Sequence, residues 1–257
     1  MIKLLSIVMP YYNRRQLLIS TLRSIDYFKK DYPIEIIIVD DASRKDQQIN
    51  DIPDLFPKIT FRLITVERDR GQWRGACVAY NIGFSAVKGD AILINCPECL
   101  HVGDVLGYVF KNLKPKSYIS FSTYDGNRKI TKEAEDFNFN NLPQVIKKIQ
   151  GSGGWWRTHT TNYTLIPYCA ALYTSDMERL SGYDERFVSG IGYDDYDFTD
   201  RVTNLGLSTS LVDDPFILHL NHPAPVYSNT LNLDFLLSLR ENYPDRIKAD
   251  MNIVYAR

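Results

Sequence analysis

Two groups of carboxylates have the types and spacing that support chemistry. Asp40 and Asp41 close an apolar run, Ile34 and then Ile36 to Val39, and Asp194, Asp195, Asp197 and Asp200 fall within seven residues of the segment GYDDYDFTD. A strand that ends in two acids presents them at its carboxyl end, where open α/β sheets hold their ligands. The alternative reading of the first pair is local: Asp40 and Asp41 end the strand and cap a turn with Ser43, because such side chains bond nearby backbone N–H groups. The second group begins a helix, where capping and the helix dipole both favour acids. Asp197 can pair with Arg201 four residues on. Four aspartates exceed what a cap requires, and part of the cluster is assigned to chemistry.

Two further stretches carry functional side chains. GSGGWWRTHTTNY, residues 151–163, combines glycine freedom with Trp155, Trp156, His159 and Tyr163, whose flat faces stack on sugar rings or bases. The competing reading packs the tryptophans into the core. Cys96 and Cys99 form a CxxC followed by His101, but a structural zinc site needs a second ligand pair and only the isolated Cys77 and Cys169 remain. Buried, reduced thiols in a cytosolic protein are the expectation.

Strands and helices that position these residues can be read from apolar spacing. Leu4 to Met9, Ile34 to Val39, Ile59 to Val66 and Ala91 to Ile94 read as strands, the continuous runs among them as strands covered on both faces. Between them, Arg14 to Phe28 carries Leu17, Leu18, Leu22 and Ile25 at helical spacing with Asn13 as its N-cap, and Ala76 to Val87 is a second helix. This alternation predicts a mostly parallel sheet. Beyond a strand at Tyr118 to Ser122, the polar stretch from Thr123 to Asn141 reads as a long loop. A helix from about Tyr193 to Gly206 places Phe198, Val202 and Leu205 on one face.

With 30 basic and 31 acidic residues among 257, the chain has a formal charge of -1, so no global field recruits nucleic acid or an anionic membrane. Its 44% hydrophobic content supports a full-sized core. The amino-terminal apolar run stops at Pro10 and reads as a strand, not a signal peptide, and no window is long enough for a membrane span.

The ordered motifs IVMPYYNR, VDDAS, RDRGQWRGACVAYNIGF, GDAILINCPE, GYDERF and GYDDYDF resemble the family 2 glycosyltransferases of GT-A fold. The related catalytic domains of polypeptide N-acetylgalactosaminyl- and galactosyltransferases are similar too. The resemblance runs from Ser6 to about His222 and implies an α/β, Rossmann-like, mostly parallel central sheet flanked by helices, with a mixed acceptor-side portion. It implies one domain: a nucleotide-sugar half over 1–122, an acceptor half over 123–225 and a helical tail over 226–257. The activity implied is inverting transfer of a sugar from a nucleotide diphosphate sugar, a UDP-sugar first, to a glycan or other hydroxyl acceptor. A non-catalytic carbohydrate- or nucleotide-binding module on the same fold is the alternative.

The same resemblance implies residue roles. Pro10, Tyr11 and Asn13, with Asp40 and Asp41, hold base and ribose. Asp195 is the general base, with Asp194 as its neighbour. From residue chemistry alone, Arg70 and Arg74, flanking Gly71 before the next helix, supply positive charge near the donor or else are solvated surface arginines, and the glycine-flanked Trp155, Trp156 and His159 meet the acceptor. The family places a metal-binding DxD after the strand that ends at Ile94, where this chain has Asn95, Cys96, Pro97 and Glu98. Glu98 is therefore the expected anionic ligand of Mn2+ or Mg2+, completed by His219 or His222 of the segment FILHLNHP.

Overall fold

The first half of the chain alternates strand and helix, as its apolar runs predict. The computed structural model describes residues 1–67, 74–223 and 230–250. Strand β1 (Leu5–Tyr11), helix α1 (Arg15–Phe28), β2 (Ile34–Asp40), α2 (Ile52–Leu55), β3 (Thr60–Thr65), α3 (Cys77–Ser85) and β4 (Ala91–Asn95) come first. They are followed by β5 (Cys99–Val102), α4 (Val105–Asn112), β6 (Ser117–Asp125), α5 (Arg128–Glu133), α6 (Leu142–Gln150) and β7 (Gly154–Arg157). The last described elements are β8 (Cys169–Tyr173), α7 (Thr174–Leu180), α8 (Asp194–Asn204), β9 (Ser208–His219) and α9 (Thr230–Asn242).

Among the described residues the strands form one sheet in the order β3-β2-β1-β4-β8-β6-β9-β5, with β7 alongside β6. β3, β2, β1 and β4 are parallel neighbours. β8 then enters antiparallel between β4 and β6. β9 runs parallel to β6 and antiparallel to β5, so the acceptor-side half is mixed. The ladder aligns Tyr11 with Asp40 and Val8 with Ile94, which brings the carboxyl ends of β1, β2 and β4 to one edge.

Burial explains why β1 and β2 do not alternate in sequence: every residue of both is buried. Ile7, Met9, Ile36, Ile38 and Leu93 pack on one face with Leu18, Leu22 and Ile25 of α1. Val8, Ile37, Val39 and Ile94 pack on the other with Val78, Leu180, Phe198 and Val202 from α3, α7 and α8. Each such side chain contributes about 1.5–3 kcal/mol when taken fully out of water. Gly83 permits the α3 approach, because a Cβ there would lie 2.4 Å from Cγ1 of Val8.

Two expectations need correction. Residues 123–141 are not a loop: Thr123 to Asp125 finish β6, α5 follows, and short 3-10 turns cover Ala134–Asp136 and Phe139–Asn141. Ile130, Ala134, Phe137 and Phe139 are buried there against Phe28, Leu100 and Tyr124. The apolar residues are real, but elements this short give no period to read. Asn13 is not the cap of α1 either. Its φ is 52°, its Oδ1 accepts from Arg44 N at 2.8 Å, and the N-cap position belongs to Arg14, whose side chain makes no capping bond. In the expected tail, α9 is helical, and residues 243–250 continue as non-helical chain.

Candidate active site

The three aligned strand ends and the turns after them build the donor side. Tyr11 is buried, and its hydroxyl donates to the Gln47 carbonyl at 2.5 Å. Burial first and then Asp40 push its phenol up to about 12, which keeps it a donor. Asp40 Oδ1 accepts from Ser43 N at 2.9 Å, and Ser43 Oγ accepts from Asn13 N at 2.9 Å. The local turn is therefore present, whatever else Asp40 does. Asp41 is buried in an ion pair with Arg74, whose Nε lies 3.3 Å from Oδ2 and whose second guanidinium nitrogen contacts Oδ1. That pairing engages Arg74 with a carboxylate where donor phosphates were its expected partner. Arg70 and Gly71 lie outside the described residues.

After β4 the chain departs from a DxD in a specific way. Asn95 is fully buried; its Nδ2 donates to the carbonyls of Cys96 and Cys99 at 2.8 and 3.2 Å, and its Oδ1 lies 3.0 Å from His101 Nε2. The amide thus serves the turn and is not presented to a ligand. Glu98 is presented instead. Cys99 of β5 faces His219 of β9 in the ladder, and Leu220 N donates to the Glu98 carbonyl at 2.9 Å. This registry brings Glu98, His219 and His222 together, with one ligand atom from each lying within 4.8 Å of the others.

Glu98 Oε1 lies 2.6 Å from Arg14 Nη1, 3.4 Å from His222 Nε2 and 3.8 Å from His219 Nε2. Burial alone would raise the Glu98 carboxyl, but Arg14 and the two imidazoles outweigh it and hold it down to about 2. Burial lowers His219 against the opposing pull of Glu98, which favours the neutral form that ligation requires. Glu98 Oε2 and His219 Nδ1 are both buried without a hydrogen-bond partner among the described residues. A carboxylate with two imidazoles and unsatisfied buried atoms fits a divalent cation such as manganese.

Two adjoining cavities meet at Trp156 and Tyr168. The first, about 330 Å³, is lined by Arg14, Glu98, His219, His222, Asp194 and those aromatics. The second, about 260 Å³, is lined by Asp195, Tyr193, Tyr196, Asn162 and the same aromatics. Helix α8 separates the two acids. It begins after Gly192 and Tyr193, whose φ values are 68° and 64°, so the chain turns sharply into a helix whose first two residues are Asp194 and Asp195. Tyr193 holds the N-cap position, and Asp195 Oδ1 accepts from Tyr196 N at 2.9 Å. Burial and then the neighbouring Asp195 push Asp194 up to about 7; burial likewise pushes Asp195 up to about 6.

The other two acids of the cluster face arginines. Asp197 Oδ2 accepts from Arg201 Nε at 2.8 Å, both side chains being buried, and Asp200 pairs with Arg240 at 2.7 Å. Of the aromatic segment, Trp156 reaches both cavities, while Trp155 packs on Tyr124 and Phe216 with ring centroids at 5.1 and 4.9 Å. Successive residues of β7 point to opposite faces. His159 lines neither cavity and bonds Asp213 through both its backbone N and its Nδ1. Sequence reasoning missed Arg14, although it stands in the PYYNR motif, and Tyr168, for which no local signal exists. His219 stacks edge-on between Tyr168 and Trp156 at 5.7 and 5.6 Å.

A sheet with this strand order, helices on both faces and a site at the carboxyl ends of its parallel strands defines a GT-A fold. Solved structures share it. A mannosyltransferase, PcManGT from Pyrobaculum calidifontis in complex with GDP-Man and Mn2+, aligns with a TM-score of 0.58 at 20% identity over 87% of this chain and 58% of that one. S. aureus TarS 1-349 in complex with UDP aligns at 0.59 and 16% identity over 92% of this chain and 71% of that one. Residues 6–96 match the family model for glycosyl transferase family 2. The glycosyltransferase GlyG of Streptococcus pneumoniae serotype 4 is 23% identical over 96% of this chain and 80% of its own length. Chondroitin synthase of Pasteurella multocida is 22% identical over 86% of this chain, which spans only 25% of that protein. The fold is thus that of GT-A glycosyltransferases, and the first third of the chain is similar to glycosyl transferase family 2.

Proposed function

We propose that the chain transfers a sugar, with inversion, from a nucleotide diphosphate sugar to an acceptor hydroxyl on a glycan. One observation carries this reading: Asp194 and Asp195 open into separate adjoining cavities, the first holding Glu98, His219 and His222, the second walled by aromatic side chains. The first suits a donor diphosphate and the second a sugar acceptor. In a single displacement, the acceptor oxygen attacks the anomeric carbon, its proton passes to Asp195, and the bond from that carbon to the diphosphate breaks. Inversion follows because the attack comes from the side opposite the leaving group. Glu98, His219 and His222 would hold a divalent ion, which as a Lewis acid neutralises charge on the departing diphosphate.

UDP-sugars are the first donors to test and GDP-sugars the second, since structural relatives carry UDP, UDP-GlcNAc and GDP-Man. Asp40, beside Tyr11 at the end of β2, supports contacts to base and ribose. Residues 1–122 are proposed as the donor half and 123–225 as the acceptor half, with β9 returning His219 to the donor side. Four free cysteines suit a reducing compartment, and cytoplasmic action is proposed on that ground. Among the described residues no helix is long and apolar enough to cross a membrane. A binding module without catalysis is the second reading, favoured by the buried, fully engaged Asn95 at the usual ligand position. Incubation with UDP- and GDP-sugars, with and without manganese, separates the two: metal-dependent release of nucleotide diphosphate is expected, and its absence with every donor that binds supports the module.

A further inference from the structure

Glu98 already has a cation. Arg14 Nη1 lies 2.6 Å from Oε1, and this is the oxygen that also faces both histidines. Glu98, His219 and His222 lie close enough together that one divalent ion could be held by all three. An ion held by this trio would therefore share or contest with Arg14 a carboxylate whose Oε1 faces the imidazoles and whose Oε2 has no hydrogen-bond partner among the described residues. Arg14 is also the only lysine or arginine lining the first cavity as described, because Arg74 is turned to Asp41. Its backbone is fixed at the start of α1, where its carbonyl accepts from Leu18 N at 3.0 Å. Its side chain is 31% exposed, so the guanidinium can turn without disturbing the helix.

We propose that Arg14 is an exchangeable counter-cation: it neutralises Glu98 before metal enters, and turns to the donor diphosphate when a divalent ion takes Glu98. The proposal rests on the glycosyltransferase reading of this site. Charge balance gives it content. Arginine and glutamate cancel in the free site. A divalent ion brings two positive charges and a sugar-linked diphosphate two negative ones, so joint entry leaves the charge of the site unchanged, whatever Asp194 on the same cavity contributes. Either partner alone leaves a net charge in a half-buried cavity, where it is poorly screened. Metal and nucleotide are therefore expected to bind cooperatively, with Arg14 transmitting part of the coupling. The guanidinium also suits a diphosphate through paired N–H donors.

Calorimetry and manganese spin resonance on the whole chain test this without any acceptor. Manganese chloride alone, UDP alone, GDP alone and each nucleotide with manganese are titrated into wild type, Arg14→Gln, Arg14→Lys and Glu98→Gln. Arg14→Gln is expected to bind manganese alone about tenfold tighter than wild type and nucleotide with manganese about tenfold weaker, within the usual range of coupling between sites. Arg14→Lys should keep near wild-type manganese affinity while weakening nucleotide, which reports on the exchange even where Arg14→Gln melts early. Unchanged or weaker manganese binding by Arg14→Gln, in a protein whose wild type couples metal to nucleotide, overturns the exchange and leaves the metal site standing. Nucleotide binding to wild type that is indifferent to manganese and to Glu98→Gln overturns both.

Discussion

At the scale of single residues, the two adjacent acids of α8 separate by environment. Asp194 opens toward the carboxylate and histidines, Asp195 toward the aromatic cavity, and both carboxyls are raised by burial to about 7 and 6. A general base must be ionised, so transfer is expected to rise with pH through 6 to 7. Stability runs the other way. An unfolded aspartate titrates near about 3.9, so between that value and 7 the native state binds more protons than the unfolded one, and stability falls as pH rises. Asp195→Asn is therefore expected to lower transfer about 100-fold or more while leaving nucleotide affinity unchanged. Its melting temperature should match wild type near pH 4 and exceed it near pH 8. Transfer near the wild-type rate would remove Asp195 from the base role. The acid cluster was legible in the sequence because four aspartates crowd seven positions. The resemblance singled out Asp194 and Asp195, and spacing suggested the Asp197–Arg201 pair; the partners Arg240 of Asp200 and Arg246 of Asp197 were not legible, because they arrive from far along the chain.

At the scale of elements, β7 shows what alternation decides. Trp155 and Trp156 are identical in type and adjacent in sequence, yet the strand sends one to Tyr124 and Phe216 and the other to both cavities. Trp156→Ala is expected to reduce transfer to acceptor far more than slow donor hydrolysis, with little change in melting. Trp155→Ala should instead cost about 3 kcal/mol or more, the usual loss for a packed large aromatic, read from urea midpoints. A destabilised Trp156→Ala that loses both activities together would place that ring in the core. Long apolar runs made β1, β2 and β4 readable, and the periodic face of α8 was readable through Phe198 and Val202. The short helices after β6 were not. Ile130 and Ala134 are spaced as on a helix, but a six-residue element gives one repeat, and the surrounding charge hides it. Asn13 was misassigned because residue type suggests a cap while the positive φ that redirects its side chain has no signature in the sequence.

At the scale of the whole molecule, the segment after α9 ties the site to the rest of the fold. Arg246 bridges Asp184 and Asp197, two fully or nearly fully buried carboxylates, Ala249 N donates to the Leu180 carbonyl, and Asn204 donates to the carbonyls of Pro244 and Arg246. These bonds hold α8 from its far side and so fix where Asp194 and Asp195 emerge. Each carboxylate keeps another arginine if Arg246 is lost, Arg186 for Asp184 and Arg201 for Asp197. Arg246→Ala should accordingly cost about 2 kcal/mol, below the 3–5 of a wholly unpaired buried charge. With α8 less well held, transfer should fall while nucleotide affinity, set on the donor side, stays within about twofold of wild type, since a strap contact with no ligand behaves like a distant site. Equal loss of both would mean that the segment stabilises the entire sheet.

The pairing of β5 with β9 also sets an order in time. Glu98 is made early on the ribosome and His219 late, although Glu98 immediately precedes Cys99, which faces His219 in the ladder. At roughly 5–20 residues per second, on the order of ten seconds separates the carboxylate from its first imidazole. Arg14 precedes both. During synthesis the glutamate therefore meets the arginine first, and the growing chain has no window in which that acid need be buried without a cation beside it.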